Sequence, residues 1–204
     1  MAVISPQYCS PYGMEMTIVK GFGRFTVADM SGNVIFRVRR SLFNIRARHR
    51  LYNAVGMPLV TLRQKIMSIH GRWRAYMGDS SYSRDLIFNA RRASVLGGKV
   101  ISELNAYLPA NISEHFYDFK IIGGYQSSTC TIYAGNCVTV LAQMQKRPDL
   151  GALSISGREQ YVLRVSPNVD YAFIVSLLII FFAHEEARGA SLFHHHDASP
   201  FGHF

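Results

Sequence analysis

Cysteine, tryptophan and acidic side chains are all scarce in this chain, and each scarcity excludes something. Three cysteines in 204 residues (Cys9, Cys130, Cys137) cannot build a disulfide framework, and their odd number fits a reducing compartment. No Cys-x-x-Cys pair occurs, which removes the common redox and zinc signatures. The opening MAVISPQYCSPYG has no basic n-region and no apolar h-region, so no secretory leader is expected. Position 2 is alanine, where N-myristoylation requires glycine. Asn111-Ile112-Ser113 is accordingly read as a chance sequon. The glycine pairs Gly97-Gly98 and Gly123-Gly124 and the Gly21-Phe22-Gly23 link read as turns, and none matches a P-loop or dinucleotide fingerprint. Cys9 has no base beside it, and paired carboxylates are missing. The expectation is a protein without catalysis, cofactor or resident metal.

The shortage of acids is regional. Residues 1–100 carry 16 Lys and Arg against 4 Asp and Glu, whereas residues 101–204 carry 6 against 9. The net charge of +9 thus resides in the first half, mostly on arginine. Guanidinium groups favour planar, bidentate partners such as phosphate and carboxylate. That asymmetry points to an anionic partner.

Long apolar runs are also rare, with one exception. Tyr171–Ala183 reads YAFIVSLLIIFFA, 13 residues with Ser176 as the clear polar side chain. A membrane span needs about 20 residues, so this run is short for one, and no transmembrane helix is expected. It is apolar on every helical face, which requires surroundings on all sides. Asp170 is placed to cap such a helix, after the boundary at Pro167. The rest of the chain reads in period two. Val34, Phe36 and Val38 alternate with Ile35, Arg37 and Arg39; Arg46, Arg48 and Arg50 alternate with Ala47, His49 and Leu51. Val138, Val140, Ala142 and Met144 fall on one face, and Phe116–Ile122 reads as a further strand. Roughly ten to twelve short strands follow from such patterns. A sheet of that size closes into a barrel, which removes its edges. The expected fold is mainly β: a closed antiparallel barrel of about twelve strands enclosing a hydrophobic C-terminal helix near 170–183. Residues 1–12 form an N-terminal extension, 13–186 the barrel with its helix, and 187–204 a flexible His-rich tail.

Particular segments carry a resemblance. Gln7–Tyr12 (QYCSPY), Arg24–Arg39 (RFTVADMSGNVIFRVR), Pro58–Trp73 (PLVTLRQKIMSIHGRW), Thr131–Met144 (TIYAGNCVTVLAQM) and Ser166–Phe173 (SPNVDYAF) resemble the plant LURP-one-related family, of the tubby-like structural group that includes the phospholipid scramblases. The resemblance spans residues 5–184. It implies a tubby-like twelve-stranded barrel around a hydrophobic helix, no established enzymatic activity, and for some members a link to plant defence. Related tubby domains bind phosphoinositides.

The candidate site is the basic cluster. Arg37, Arg39 and Arg40 precede a short connection and Arg46, Arg48 and Arg50 follow it, with Arg63 and Lys65 on the next strand and Arg72 and Arg74 beyond. Like charges across strands repel, and a bound anion offsets that repulsion. The competing reading is a solvated face that blocks edge pairing. The expected partners are an anionic membrane surface, phosphoinositide-bearing in particular, or an acidic protein, with nucleic acid less favoured. The alternatives are a nucleic-acid or transcription-associated protein and a scramblase-like lipid-handling protein. A cytoplasmic location is expected, peripheral to a membrane or nuclear under those readings. Trp73 lies on the opposite face from Arg72 and Arg74 and belongs in the core. The single carboxylate of the 165–170 stretch is too few for calcium. His194, His195 and His196 in a flexible tail, with Asp197, His203 and His184 nearby, lack a fixed tetrahedral frame for zinc.

Overall fold

The computed structural model describes residues 1–21, 24–41, 48–65, 68, 71–93, 102–124, 128–135, 137–148 and 158–196, with side chains as far as Ala187. The first six strands are β1 (Met14–Gly21), β2 (Arg24–Asp29), β3 (Val34–Arg40), β4 (Arg48–Asn53), β5 (Pro58–Gln64) and β6 (Trp73–Met77). The second six are β7 (Leu86–Arg92), β8 (Ser102–Tyr107), β9 (Phe119–Gly124), β10 (Thr129–Ala134), β11 (Val140–Lys146) and β12 (Glu159–Val165). Each strand pairs antiparallel with its chain neighbours, and β1 pairs with β12 to close a barrel. Closure leaves no edge strand to template aggregation.

The barrel is filled by α1 (Tyr171–His196). Every residue from Ala172 to Phe182 is buried, as an all-round apolar helix requires. Alternate strand residues supply the facing wall: Met16 and Ile18, Phe36 and Val38, Val60 and Leu62, Phe119 and Ile121. Phe173 packs edge-on against Phe119 at 4.7 Å and Phe88 at 5.2 Å. Phe182 stacks on Phe25 at 5.4 Å. The Ser176 hydroxyl donates to the Ala172 carbonyl at 2.8 Å, which satisfies the one polar side chain of the run without a partner from the wall.

Asp170 anchors the start of the helix. Its Oδ1 accepts the Phe173 N–H at 3.0 Å, the expected N-cap bond. Its Oδ2 accepts three further backbone N–H groups, from Val3, Ile4 and Ser5, at 2.7–3.1 Å. The carboxylate is fully buried and has a hydrogen bond at each oxygen. The N-terminal segment is thereby tied over the helix start, with the Tyr8 ring between Phe36 and Tyr171 at 5.5 Å from each.

Three expectations change. The helix does not stop near Ala183 but continues to His196, so the histidines at 194–196 have helical backbone; residues 197–204 lie outside the described residues. Val138 and Val140, expected to share a face with Ala142 and Met144, are 80% and 37% exposed, whereas Ala142 and Met144 are buried. The register between β10 and β11 shifts at Ile132/Tyr133, and that bulge reverses the alternation. Phe116, expected in a strand, is 84% exposed ahead of β9. Similar shifts occur between β2 and β3, β4 and β5, and β6 and β7. All four belong to hairpins that turn at the end where α1 begins, where extra local twist helps the wall close around Asp170 and the N-terminal segment.

Candidate basic face

Register places the arginines directly opposite one another on the outer wall. Arg24 of β2 faces Arg39 of β3, and Arg39 faces Arg50 of β4. One step along, Arg48 of β4 faces Arg63 of β5, and Arg63 faces Arg74 of β6. Two rows of three arginines therefore run across five adjacent strands. Cβ atoms so opposed are about 5 Å apart, a destabilising arrangement for like charges.

The compensation is incomplete. Asp79, in the β6–β7 connection, places Oδ1 2.6 Å from Arg48 Nη2 and 2.8 Å from Arg50 Nε. The second contact is an ion pair without hydrogen-bond alignment, and the Nε atoms of Arg48, Arg50 and Arg74 are buried without an acceptor. Burial, then the neighbouring Arg50, push the Arg48 guanidinium below its ordinary value; Asp79 opposes this and Arg63 adds to it. Arg37 donates to the Ala54 carbonyl at 3.0 Å, and Arg39 lies 5.6 Å from the Tyr52 ring centre. Among the described residues, Arg24, Arg39, Arg63, Lys65 and Arg74 have no acidic partner.

At the border of this face and beyond it, several cations are paired. Arg72 makes a bidentate contact with Glu114 at 2.5 and 2.7 Å, and Arg91 lies 3.7 Å from the same carboxylate. Lys120 pairs with Glu103 at 2.9 Å. Among the described residues, the arginines that oppose one another across strands lie on β2–β6.

Of the expected site residues, the structure brings together Arg39, Arg48, Arg50 and Arg63 on one face, with Arg37 beside them and Lys65 just past the end of β5. Arg40 departs from the group. It stands opposite His49, on the inward-facing parity of β3, at the barrel end where α1 leaves. Arg46 lies outside the described residues. Sequence reasoning overlooked Arg24, whose place depends on the β2–β3 register. It also overlooked Asp79, although Asp79 is the sole acid between Asp29 and Asp85.

The end where α1 leaves holds a second polar group. His49, Trp73 and His184 are buried, with ring centres 5.6 Å apart for His49–Trp73 and 6.3 Å for Trp73–His184. Burial, assisted by Arg40 for His49 and Arg92 for His184, pushes both imidazoles down to about 4. His184 Nδ1 lies 3.4 Å from Arg92 Nε. Gly71 has φ +58, and a Cβ there would come within 2.8 Å of His184 Cε1. His184 is thus a wedged core residue, not part of the histidine tail. Among the described residues, no three His, Cys, Asp or Glu side chains are grouped so as to hold a metal.

Comparison with known proteins agrees with this architecture. A family model described as LURP-one-related matches residues 14–182. Arabidopsis thaliana Protein LURP-one-related 15 is 36% identical over 183 residues, covering 87% of this chain and 83% of the relative. Protein LURP-one-related 10 from the same plant is also 36% identical, over 88% of this chain and 94% of its own length. The X-ray structure of an Arabidopsis thaliana protein superposes with a TM-score of 0.69 at 32% identity, covering 88% of this chain and 95% of that one.

Proposed function

This chain belongs to the LURP-one-related family, and on that footing we propose that it works as a non-enzymatic binding module whose β2–β6 face engages phosphoinositides on a membrane surface. The observation that carries the reading is the pair of arginine rows. Six guanidinium groups in direct cross-strand register share one neighbouring carboxylate among the described residues. Such a face is stabilised when an anion docks on it. Arginine suits the task because its planar fork matches phosphate oxygens. Each Lys or Arg near an anionic bilayer contributes about 1 kcal/mol, so the face suffices for weak, salt-sensitive recruitment. No helix among the described residues is long and apolar enough to cross a membrane.

Co-sedimentation with vesicles tests this. The protein is expected to pellet with phosphatidylcholine vesicles that carry phosphatidylinositol bisphosphate, and not with phosphatidylcholine alone. The triple variant Arg39→Ala, Arg63→Ala, Arg74→Ala should lose about 3 kcal/mol of that binding. Equal pelleting with neutral lipid, or none with either, removes the proposal. A place in plant defence or stress signalling is carried by the family alone. Its check is whether plants lacking the protein respond differently to pathogen challenge.

A further inference from the structure

Asp79 sits where an incoming anion would have to sit. The β6–β7 connection does not project from the barrel but folds down over β5. The Gly78 N–H donates to the Leu59 carbonyl at 2.8 Å, and the Gly78 carbonyl accepts the Thr61 hydroxyl at 2.8 Å. Gly78 has φ +58, the left-handed conformation that glycine adopts without steric cost. On the far side, the Ser80 N–H bonds the Met77 carbonyl at 3.1 Å and the Ser80 hydroxyl bonds Asp85 at 2.5 Å. Asp79 is held between these two anchors and lowered onto the arginines.

Its fit there is partial. Both contacts converge on one oxygen, Oδ1. The Asp79 side chain is 56% exposed, whereas those of Arg48 and Arg50 are 20% and 32% exposed. Buried donors remain without acceptors on Arg48 and Arg74, and the Arg50 Nε lacks hydrogen-bond alignment. Arg63 stands directly across from Arg48. One carboxylate oxygen cannot serve this many N–H groups. A tetrahedral phosphate monoester carries up to two charges and three terminal oxygens, and it matches the donor set better in both charge and number.

We propose that Asp79 is a built-in occupant of a phosphate site formed by Arg48, Arg50 and Arg63, and that a phosphate monoester displaces it. The proposal rests on the reading of the β2–β6 face as an anion site and adds its regulation. In the free protein Asp79 screens the central arginines and lowers affinity for incidental anions. A polyphosphorylated head group pays the cost of expelling it, and a singly charged one does not. The same chemistry is offered by a lipid head group or by a soluble inositol polyphosphate, so both need to be presented.

The test compares the wild type with Asp79→Asn, which keeps the side chain's shape and removes its charge. Two probes are used: vesicles of phosphatidylcholine with phosphatidylinositol bisphosphate, and soluble inositol hexakisphosphate. Freeing the site from an exposed ion pair is expected to tighten binding of Asp79→Asn by about fivefold. Adding Arg48→Ala and Arg50→Ala should abolish that gain. Tightening toward both probes assigns the site to the phosphate group itself; tightening toward vesicles alone assigns it to the lipid. Thermal unfolding in inorganic phosphate, relative to chloride, supplies an independent reading. Phosphate should raise the midpoint of Asp79→Asn more than that of the wild type, because it refills the vacated position. If the wild type binds and Asp79→Asn binds equally or more weakly, the displacement proposal is overturned while the anion-site reading stands. If neither protein binds either probe, both fall together.

Discussion

Asp170 gathers four backbone hydrogen bonds on one buried carboxylate. Its two oxygens accept four backbone N–H groups, three from the N-terminal segment and one from the first turn of α1. Replacing it with alanine leaves those four donors facing a buried gap. The expected cost of Asp170→Ala is about 3–5 kcal/mol, because buried donors lose charge-assisted acceptors. Asp170→Asn keeps the shape and one acceptor oxygen and should cost about 1–2 kcal/mol. Urea unfolding of the two variants measures the difference. Equal destabilisation by Asn and Ala would assign the effect to charge alone. The cap bond at Phe173 was visible in the sequence because Asp before an apolar run is a local signal. The three bonds to Val3, Ile4 and Ser5 were not, since they join positions more than 160 residues apart and depend on the tertiary path.

At the scale of elements, α1 and the strands explain one another. Phe173 fills the space between β7 and β9, touching Phe88 and Phe119. Phe173→Ala should lose about 3–5 kcal/mol through lost transfer energy and the cavity left behind. Phe173→Leu should lose less than half of that. The ratio, read from denaturant midpoints, separates a packing role from a loss of helix formation, because alanine and leucine are both good helix formers. The helix and the outward arginines were legible because each relies on a short-range period: an all-round apolar run for the one, alternation for the other. What escaped was whatever breaks a period. The register shift between β10 and β11 turned Val138 outward, and no composition signal marks an inserted residue. The downward fold of the β6–β7 connection was equally hidden. Gly78 and the lone Asp79 hinted at it, but its meaning depended on where Arg48 and Arg50 had arrived from elsewhere in the chain.

For the whole molecule, the two buried histidines make stability depend on pH. In the folded protein His49 and His184 stay neutral until pH falls to about 4, against an ordinary value of 6.5. Burial is the main cause for both, with Arg40 facing His49 and Arg92 facing His184. Between these two values the unfolded chain binds protons at both positions and the folded chain does not. Stability is therefore complete above 6.5 and falls as pH is lowered through that window. Urea midpoints at about pH 7.5 and about pH 5 should show the fall, and the double variant His49→Gln, His184→Gln should flatten it. An unchanged slope in the variant would assign the acid sensitivity to other groups. The arginine rows respond differently, since protonation of imidazoles inside the wall leaves the charge of the outer face unaltered. Acid should thus weaken the fold without sharpening its affinity for anions.

The order in which the parts occur along the chain has a biosynthetic consequence. All twelve strands precede the helix that they enclose. As the chain emerges from the ribosome, Phe25, Phe36, Leu62 and Phe119 appear before the surface that will cover them. Every nascent chain too short to include α1 leaves those side chains uncovered. The arrival of α1 thus closes the period of exposure for all twelve strands at once. A chain that stops before α1 lacks the apolar surface against which those inward side chains pack.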